Sequence, residues 1–340
     1  MRAGRRRSSR WPPTVTHRLG RFLARRVAQA IGILVCIVVI NFLLVHLAPG
    51  DVVDVLAGES GAADPGYVAG LREKFGLDHP IHIQLGRYLW NLARLDMGYS
   101  FRHNTPVISL IVQRLAPTLL LMVTSLSLAF VGGLVLGVTA AQRVRSLTDT
   151  LISVLALLAY ATPLFWLGLM LIVVFTLKLG LLPGGGMYTV GASETLLGHA
   201  LDVARHLVLP ATTLSLFYMA TYTRLMRASM LEVFGMEYVR TARAKGISER
   251  KVAYHHVVRN AILPMVTLLG VQIGSLLGGA VVVEVVFGWP GLGRLAFEAI
   301  FQRDLNLLLG ILLLSSCLVI VVNVAVDLAY TALDPRIEVG

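Results

Sequence analysis

Six long apolar segments alternate with polar ones along this chain. They cover about residues 27–48, 116–141, 150–178, 206–230, 262–286 and 306–331. A helix of about 20 apolar residues crosses the hydrocarbon core of a bilayer, so each segment is long enough to span it once. The pattern predicts an all-α polytopic membrane protein with six transmembrane helices.

The polar residues between these segments predict the orientation. The tail before the first span carries nine arginines and no acidic residue. Lys and Arg gather on the cytoplasmic side of membrane proteins, so we expect both termini in the cytoplasm. The first apolar core is longer than the roughly 7–15 residues of a signal peptide, and we interpret it as an uncleaved anchor.

The expected organisation follows from these assignments. A basic cytoplasmic tail (1–26) precedes a six-helix transmembrane domain (27–331), and a short cytoplasmic C-terminus (332–340) ends the chain. The domain includes an outer loop (50–115) and a cytoplasmic loop (231–262). The tail is either a segment that binds anionic lipid, at about 1 kcal/mol per charge, or an artefact of the assigned start site.

The outer loop is expected to contain two short helices, Pro65–Phe75 and Ile81–Leu95. The second carries Tyr88 and Trp90, and such aromatic residues favour the membrane interface. The loop is interpreted either as a cap lying on the surface or as a lid that shapes the mouth of a pathway.

Small residues four apart mark two of the spans. Gly133-x-x-x-Gly137 lies in the second span and Gly270-x-x-x-Gly274-x-x-x-Gly278 in the fifth. Such repeats let helix backbones approach closely in lipid. Close packing is expected for both, with a glycine-lined pore as the alternative for the fifth span.

Charged side chains within spans are costly and often functional. Arg224 and Arg227 lie at the cytoplasmic end of the fourth span, from where long side chains can reach the polar boundary. Glu284 lies near the outer end of the fifth span. It either closes a structural hydrogen-bond network or lines a translocation path.

Composition agrees with the membrane class. The chain is 56% hydrophobic and 14% charged, with a net charge of +11, whereas soluble domains average about 25% charged residues. The positive charge falls in segments predicted to be cytoplasmic, so topology explains it and nucleic-acid binding is not expected.

The sequence offers no catalytic or metal site. Cys36 and Cys317 both fall in apolar spans, and the adjacent His255 and His256 point about 100° apart on a helix, so neither pair suits a metal. The chain has no G-x-x-x-x-G-K-[ST] phosphate loop. If ATP drives this protein, the ATPase is another chain.

The cytoplasmic loop contains the most distinctive polar stretch. Glu237–Lys245 predicts a short helix, which Gly246 ends in a left-handed conformation. Ser248 is expected to cap a second helix with Glu249 in its first turn. The small Ala242 and Ala244 would let a partner surface come close, and an ordinary solvated basic loop is the alternative.

This loop resembles the coupling loop of ABC importer permeases, in particular those of the peptide/nickel family. The resemblance rests on Tyr238-Val239-Arg240-Thr241-Ala242-Arg243-Ala244-Lys245-Gly246, followed by Arg259-Asn260-Ala261 and Pro264. Further similar pieces occur in the same order: Pro49-Gly50-Asp51, Asp96-Met97-Gly98, Arg224-x-x-Arg227, Glu284-x-x-Phe287-x-x-Pro290-Gly291 and Asp334-Pro335-Arg336. At the place of the Glu-Ala-Ala motif of sugar importers, this chain has Arg240-Thr241-Ala242.

The resemblance implies a B-type permease subunit of a dipeptide or oligopeptide importer in the bacterial inner membrane. Its implied partners are a C-type permease, two cytoplasmic ABC ATPases, an extracytoplasmic substrate-binding protein and membrane lipid. ATP and Mg are expected on the ATPases, with no cofactor on this chain and no enzyme activity. Nickel, glutathione or another small solute is the alternative cargo.

The resemblance also implies which residues are functional. Those expected to couple to an ATPase are Glu237, Tyr238, Arg240, Thr241, Ala242, Arg243, Ala244, Lys245 and Gly246. Those expected to support the loop are Arg224, Arg227, Arg259, Asn260 and Pro264. The candidates for a pathway or gate are Glu284, Phe287, Pro290 and Gly291.

An ion-coupled secondary transporter is the alternative of another class. Such a protein is expected to show inverted repeats with broken helices, and the sequence shows neither clearly.

Overall fold

The computed structural model describes residues 13–47, 78–100, 102–191 and 195–333, with isolated positions between 66 and 72. Several sequence-based assignments therefore lie outside the described residues. These are the tail up to residue 12, the motif Pro49-Gly50-Asp51, most of the helix expected at Pro65–Phe75, and the segment 334–340.

Helices make up nearly all of the regular structure. In chain order they are α1 (Pro13–Leu47), α2 (Ile81–Ala93), α3 (Val107–Gln142), α4 (Leu147–Ala161), α5 (Leu164–Leu171), α6 (Leu196–Phe234), α7 (Glu237–Ala244), α8 (Glu249–Lys251), α9 (Arg259–Ala261), α10 (Leu263–Val286), α11 (Leu292–Phe301) and α12 (Leu305–Leu333). Two further segments, Ile172–Lys178 and Val252–Val258, are π-helical. The predicted helical class is confirmed.

A small antiparallel hairpin of β1 (Tyr99–Ser100) and β2 (Thr105–Pro106) precedes α3. The hairpin is fastened to the start of α12. Asp304 accepts a hydrogen bond from the Ser100 hydroxyl and, through Oδ1, another from the Leu307 amide at 3.1 Å. Asn306 Nδ2 donates to the Tyr99 carbonyl at 3.1 Å.

Two described helices are long and apolar enough to cross a membrane, Val107–Gln142 and the Leu305–Val324 part of α12. The number rises to four if each of two bent helix pairs counts as one span. The apolar part of α1 is shorter, at Ala28–Leu44. Helix α1 itself begins at Pro13, well before the expected start of the first span.

The third predicted span is not one continuous helix. Helices α4 and α5 meet at an angle of 107°. Pro163 has no N–H to donate, and it holds Thr162 in an extended conformation, with φ −78° and ψ 129°. The expectation of a single helix over 150–178 is therefore wrong, because the proline outweighs the apolar pattern.

The second span packs closely on α6, as the glycine pattern predicts. A Cβ atom on Gly137 would lie 2.6 Å from Cβ of Met226, and one on Gly133 would overlap Tyr222. Only glycine allows the two backbones to approach this closely. In the fifth span, Gly278 has no atom within 4 Å of a Cβ position, so close packing inside the chain does not explain it.

Contacts divide the chain into two compact units. One comprises Met1–Pro49 and Leu312–Gly340, and the other comprises Gly50–Ile311. The main hydrophobic core lies in the second unit and is built from α3, α6, α7 and α10, with large buried side chains such as Tyr222, Met226, Leu276 and Phe287.

Candidate functional site

The loop predicted to be cytoplasmic forms an elbow, residues 237–262, whose first arm is α7. Val239 and Ala242 of α7 are buried in the core, with 0% and 6% exposure. The other residues expected to couple face outward: Glu237, Tyr238, Arg240, Thr241, Arg243, Ala244, Lys245 and Gly246. The expectation that Ala242 leaves room for a partner is wrong, because it packs inside the chain. Ala244 is the small residue on the surface.

Gly246 forms the turn of the elbow, as predicted. Its φ of +74° lies in the left-handed region, which disfavours residues with a Cβ atom. The Gly246 amide donates to the Arg243 carbonyl at 2.9 Å, and the Ile247 amide donates to the Ala242 carbonyl at 3.3 Å. These bonds satisfy carbonyls at the end of α7 and fix the direction of the second arm.

An ion pair joins the two arms across this turn. The Arg243 guanidinium donates from Nε and NH2 to the two carboxylate oxygens of Glu249 at 2.8 and 3.2 Å. Its Cζ atom also lies 5.5 Å from the centre of the Phe234 ring. Ser248 occupies the capping position as predicted, but its side chain makes no capping hydrogen bond.

A second contact joins α7 to the end of the other arm. Asn260 Nδ2 donates to the Tyr238 hydroxyl at 2.8 Å and to the His256 carbonyl at 2.9 Å. Asn260 therefore supports the elbow, while Arg259 on the same short helix is exposed. Pro264 lies in the first turn of α10, where the missing N–H costs nothing.

The two arginines of α6 have different environments. The Arg227 guanidinium makes two bonds to Asp149 at the start of α4, at 2.7 and 2.8 Å. The Asp149 side chain is 7% exposed and also accepts a hydrogen bond from the Arg145 amide at 3.0 Å. The exposed Arg224 instead lies over the Tyr160 ring, with Cζ 4.5 Å from its centre. Arg227 thus ties α6 to the first turn of α4.

The pathway candidates meet in a buried cluster at the other end of α10. Glu284 is 0% exposed and accepts hydrogen bonds from the Thr118 hydroxyl at 2.7 Å and the Arg294 amide at 3.0 Å. The Leu292 amide donates to Thr118 Oγ1 at 2.7 Å. A Cβ atom on Gly291 would overlap the Glu284 carboxylate. These bonds satisfy the free amides at the start of α11.

Two aromatic residues close this cluster. Phe287 and Trp289 are 1% and 0% exposed, and Trp289 Nε1 donates to the Pro117 carbonyl at 3.0 Å. Pro290 is half-buried. In this structure the cluster is a hydrogen-bonded joint between α3, α10 and α11, and a role in lining a path stays a prediction.

Sequence reasoning missed three side chains of these sites, namely Asp149, Thr118 and Trp289. Asp149 had a local sequence signal, because it lies three residues after Ser146, the residue that caps α4. The Ser146 hydroxyl accepts a hydrogen bond from the Asp149 amide at 3.2 Å. Thr118 has no such signal, since its partners come from α10 and α11. Among the residues that the structure describes, no three His, Cys, Asp or Glu side chains are placed to hold a metal ion.

The chain matches a family model described as binding-protein-dependent transport system inner membrane component over residues 133–339. A second model, for the N-terminal part of such components, matches residues 19–122. The chain therefore belongs to this family, and the resemblance to ABC importer permeases is confirmed.

Relatives match over almost the whole chain. A putative peptide permease protein of Brucella ovis is 40% identical over 94% of this chain and 99% of its own length. The oligopeptide transport system permease protein AppB of Bacillus subtilis is 39% identical over 93% of this chain and 99% of its own. The dipeptide transport system permease protein DppB of Escherichia coli is 38% identical over 93% and 98%. The names of these relatives describe them as transport permeases.

The fold also has a solved counterpart. A structure of the MetNI methionine ABC transporter in an inward-facing conformation superposes with a TM-score of 0.54. It is 18% identical and covers 66% of this chain and 96% of the matched chain. The likeness shows a shared permease fold.

Proposed function

We propose that this chain forms half of the translocation pathway for dipeptides or oligopeptides in a bacterial inner membrane. The names of the relatives, which are peptide, oligopeptide and dipeptide permeases, support this cargo over nickel, glutathione or another small solute. The proposed topology has six spans with both termini in the cytoplasm, and the arginines of the N-terminal tail support it.

We propose that this chain works as one subunit of an importer that contains further protein chains. A C-type permease completes the pathway, a substrate-binding protein delivers the peptide from outside, and two cytoplasmic ATPases bind ATP and Mg. This chain receives their motion, because its sequence has no phosphate loop.

The observation that carries the proposal is how the elbow is attached. The outer face of α7 is exposed, whereas Val239 and Ala242 are anchored in the core that contains the membrane helices. The Arg243–Glu249 pair and the Tyr238–Asn260 hydrogen bond hold the two arms together. A push on α7 is therefore expected to reach α6 directly, and α10 through the second arm of the elbow.

The substitution Gly246→Asp tests the elbow. It places a residue with a Cβ atom at a φ of +74°, a conformation that glycine adopts most readily, and it adds a carboxylate to the docking surface. We expect less ATPase to co-purify with the permease and peptide uptake to fall.

Gly191→Asp is the matched control. Gly191 has a φ of +79° and open space around it, like Gly246, but lies in the loop before α6. We expect it to leave ATPase co-purification unchanged. Normal co-purification and uptake in the Gly246→Asp importer would contradict the assigned coupling site.

A secondary transporter is tested separately. The break between α4 and α5 is a feature that such transporters also use, although the family match supports an importer. Uptake that continues after ATP depletion but stops when the ion gradient is collapsed would favour the secondary transporter.

A further inference from the structure

Helix α2 in the outer loop is amphipathic and has no buried residue. The side chains of Leu85, Tyr88 and Leu92 on one of its faces are half-buried. Burial there raises the pKa of the Tyr88 hydroxyl to about 12. The half-buried residues thus lie on one side of the helix and leave the other side exposed.

The opposite side carries Ile83, Arg87 and Trp90, and Arg94, the residue directly after the helix, continues the row; we call these four residues the outer stripe. Their spacing of four, three and four residues places them on one helix face. Ile83 and Trp90 are 39% and 60% exposed, and the two arginines are exposed as well. The Arg94 guanidinium lies over the Trp90 ring, with Cζ 4.7 Å from the ring centre.

The outer stripe alternates apolar and cationic side chains, and α2 contains no acidic residue. An apolar ring with a polar N–H favours the boundary between headgroups and acyl chains. An arginine beside it can lay its methylene groups on apolar surface and its guanidinium against a phosphate. The residues at the flanks, His82 and Asn91, are polar and exposed, as expected where the helix meets water.

The position of α2 in the chain brings it to the end of the membrane helices. After α2 the chain enters the hairpin β1–β2, which Ser100 and Asn306 fasten to the start of α12. It then continues directly into α3 at Val107, a helix long and apolar enough to span the membrane. With 13 residues, α2 is about 20 Å long, enough to cover several lipid headgroups.

We propose that α2 lies along the outer surface of the bilayer, with Ile83 and Trp90 inserted at the base of the headgroups and Arg87 and Arg94 bound to lipid phosphates. Trp side chains favour the headgroup level of a membrane, and arginines beside such a ring can bind lipid phosphates. The molecules that contact the outer stripe are thus phospholipids, and this contact holds the outer loop beside the mouth of the pathway.

Spin labels on the assembled importer in phospholipid nanodiscs test this proposal. Cysteines are introduced singly at Ile83, Trp90 and Asn91 in a background in which Cys36 and Cys317 are replaced by serine. Collision with molecular oxygen, which concentrates in lipid, is compared with collision with a water-soluble nickel chelate. Asn91 is the matched control, because it is exposed on the same helix but lies at its flank.

The proposal expects oxygen to outweigh the nickel chelate at positions 83 and 90, and the reverse at position 91. Higher access to the nickel chelate at 83 and 90 would show that the outer stripe faces water and would overturn the proposal. Low access to both reagents, appearing when the substrate-binding protein is added, would overturn it in favour of protein docking. The readout does not depend on uptake, so the proposed transport function stands or falls separately.

Discussion

The contact between Arg227 and Asp149 shows what a single charged residue contributes to the packing of two helices. Two hydrogen bonds of 2.7 and 2.8 Å join side chains from α6 and α4, and the Asp149 side chain is 7% exposed. Removing the guanidinium leaves a buried carboxylate without its main partner. Such a loss costs more than the removal of a surface pair.

Arg227→Ala is therefore expected to destabilise the protein by about 1.5–3 kcal/mol, the range for hydrogen bonds to charged groups. Thermal unfolding of the detergent-purified protein measures the change. Arg227→Lys keeps the charge but cannot make both bonds in the same plane, so we expect an intermediate stability. Equal unfolding temperatures for Arg227→Ala and the wild type would show that the pair contributes little.

Residue roles were predictable where the signal is local. A glycine directly after a short helix commonly ends it in a left-handed conformation. This pattern predicts the turn at Gly246, and its φ of +74° confirms the prediction. The bonds from Arg227 to Asp149 and from Thr118 to Glu284 span 78 and 166 positions in the sequence. No pattern along the chain connects such residues, so their pairing needs the fold.

At the scale of elements, the length of the apolar segments predicted where helices form better than it predicted whether each helix is unbroken. The third apolar segment was interpreted as one span, although Pro163 lies inside it. Proline restricts the residue before it as well as its own position, and this signal could have located the break before Thr162. The π-helical turns at Ile172–Lys178 and Val252–Val258 had no comparable sequence signal.

The close packing of α3 on α6 gives a prediction for two adjacent glycines. A Cβ atom on Gly133 would overlap Cβ of Tyr222 and approach the Met219 carbonyl to 3.2 Å. We expect Gly133→Ala to cost about 1–3 kcal/mol, as overpacking does. Gly132→Ala is the matched control, because the three atoms nearest to its Cβ position all belong to the flexible side chain of Met219, at 2.5–3.3 Å.

Unfolding of the two alanine variants under the same conditions gives the comparison. Gly132→Ala is expected to be neutral or slightly stabilising, since alanine favours the helix by up to about 1 kcal/mol over glycine. Similar losses in both variants would mean that α3 tolerates no added volume anywhere on this side, and the specific contact with α6 would lose its support.

For the whole molecule, the buried and exposed parts of the elbow explain how one chain can respond to another. On the proposed function, the exposed face of α7 meets an ATPase, and the buried Val239 and Ala242 connect α7 to the core beneath it. The other residues expected to couple are exposed, but Ala242, which was expected to leave room for a partner, is buried. Alanine fits either environment, so its burial depends on the direction of α7 relative to α6.

The proposed topology predicts on which side of the membrane two of the loops lie. Val190, in the loop before α6, is 91% exposed, and Val144, in the loop between α3 and α4, is 43% exposed. In a background without Cys36 and Cys317, a membrane-impermeant maleimide should label Val190→Cys in intact spheroplasts. Val144→Cys should be labelled only after permeabilisation, because the arginines at 143 and 145 favour the cytoplasmic side. Labelling of Val144→Cys in intact spheroplasts would reverse the orientation and move the elbow away from any cytoplasmic ATPase.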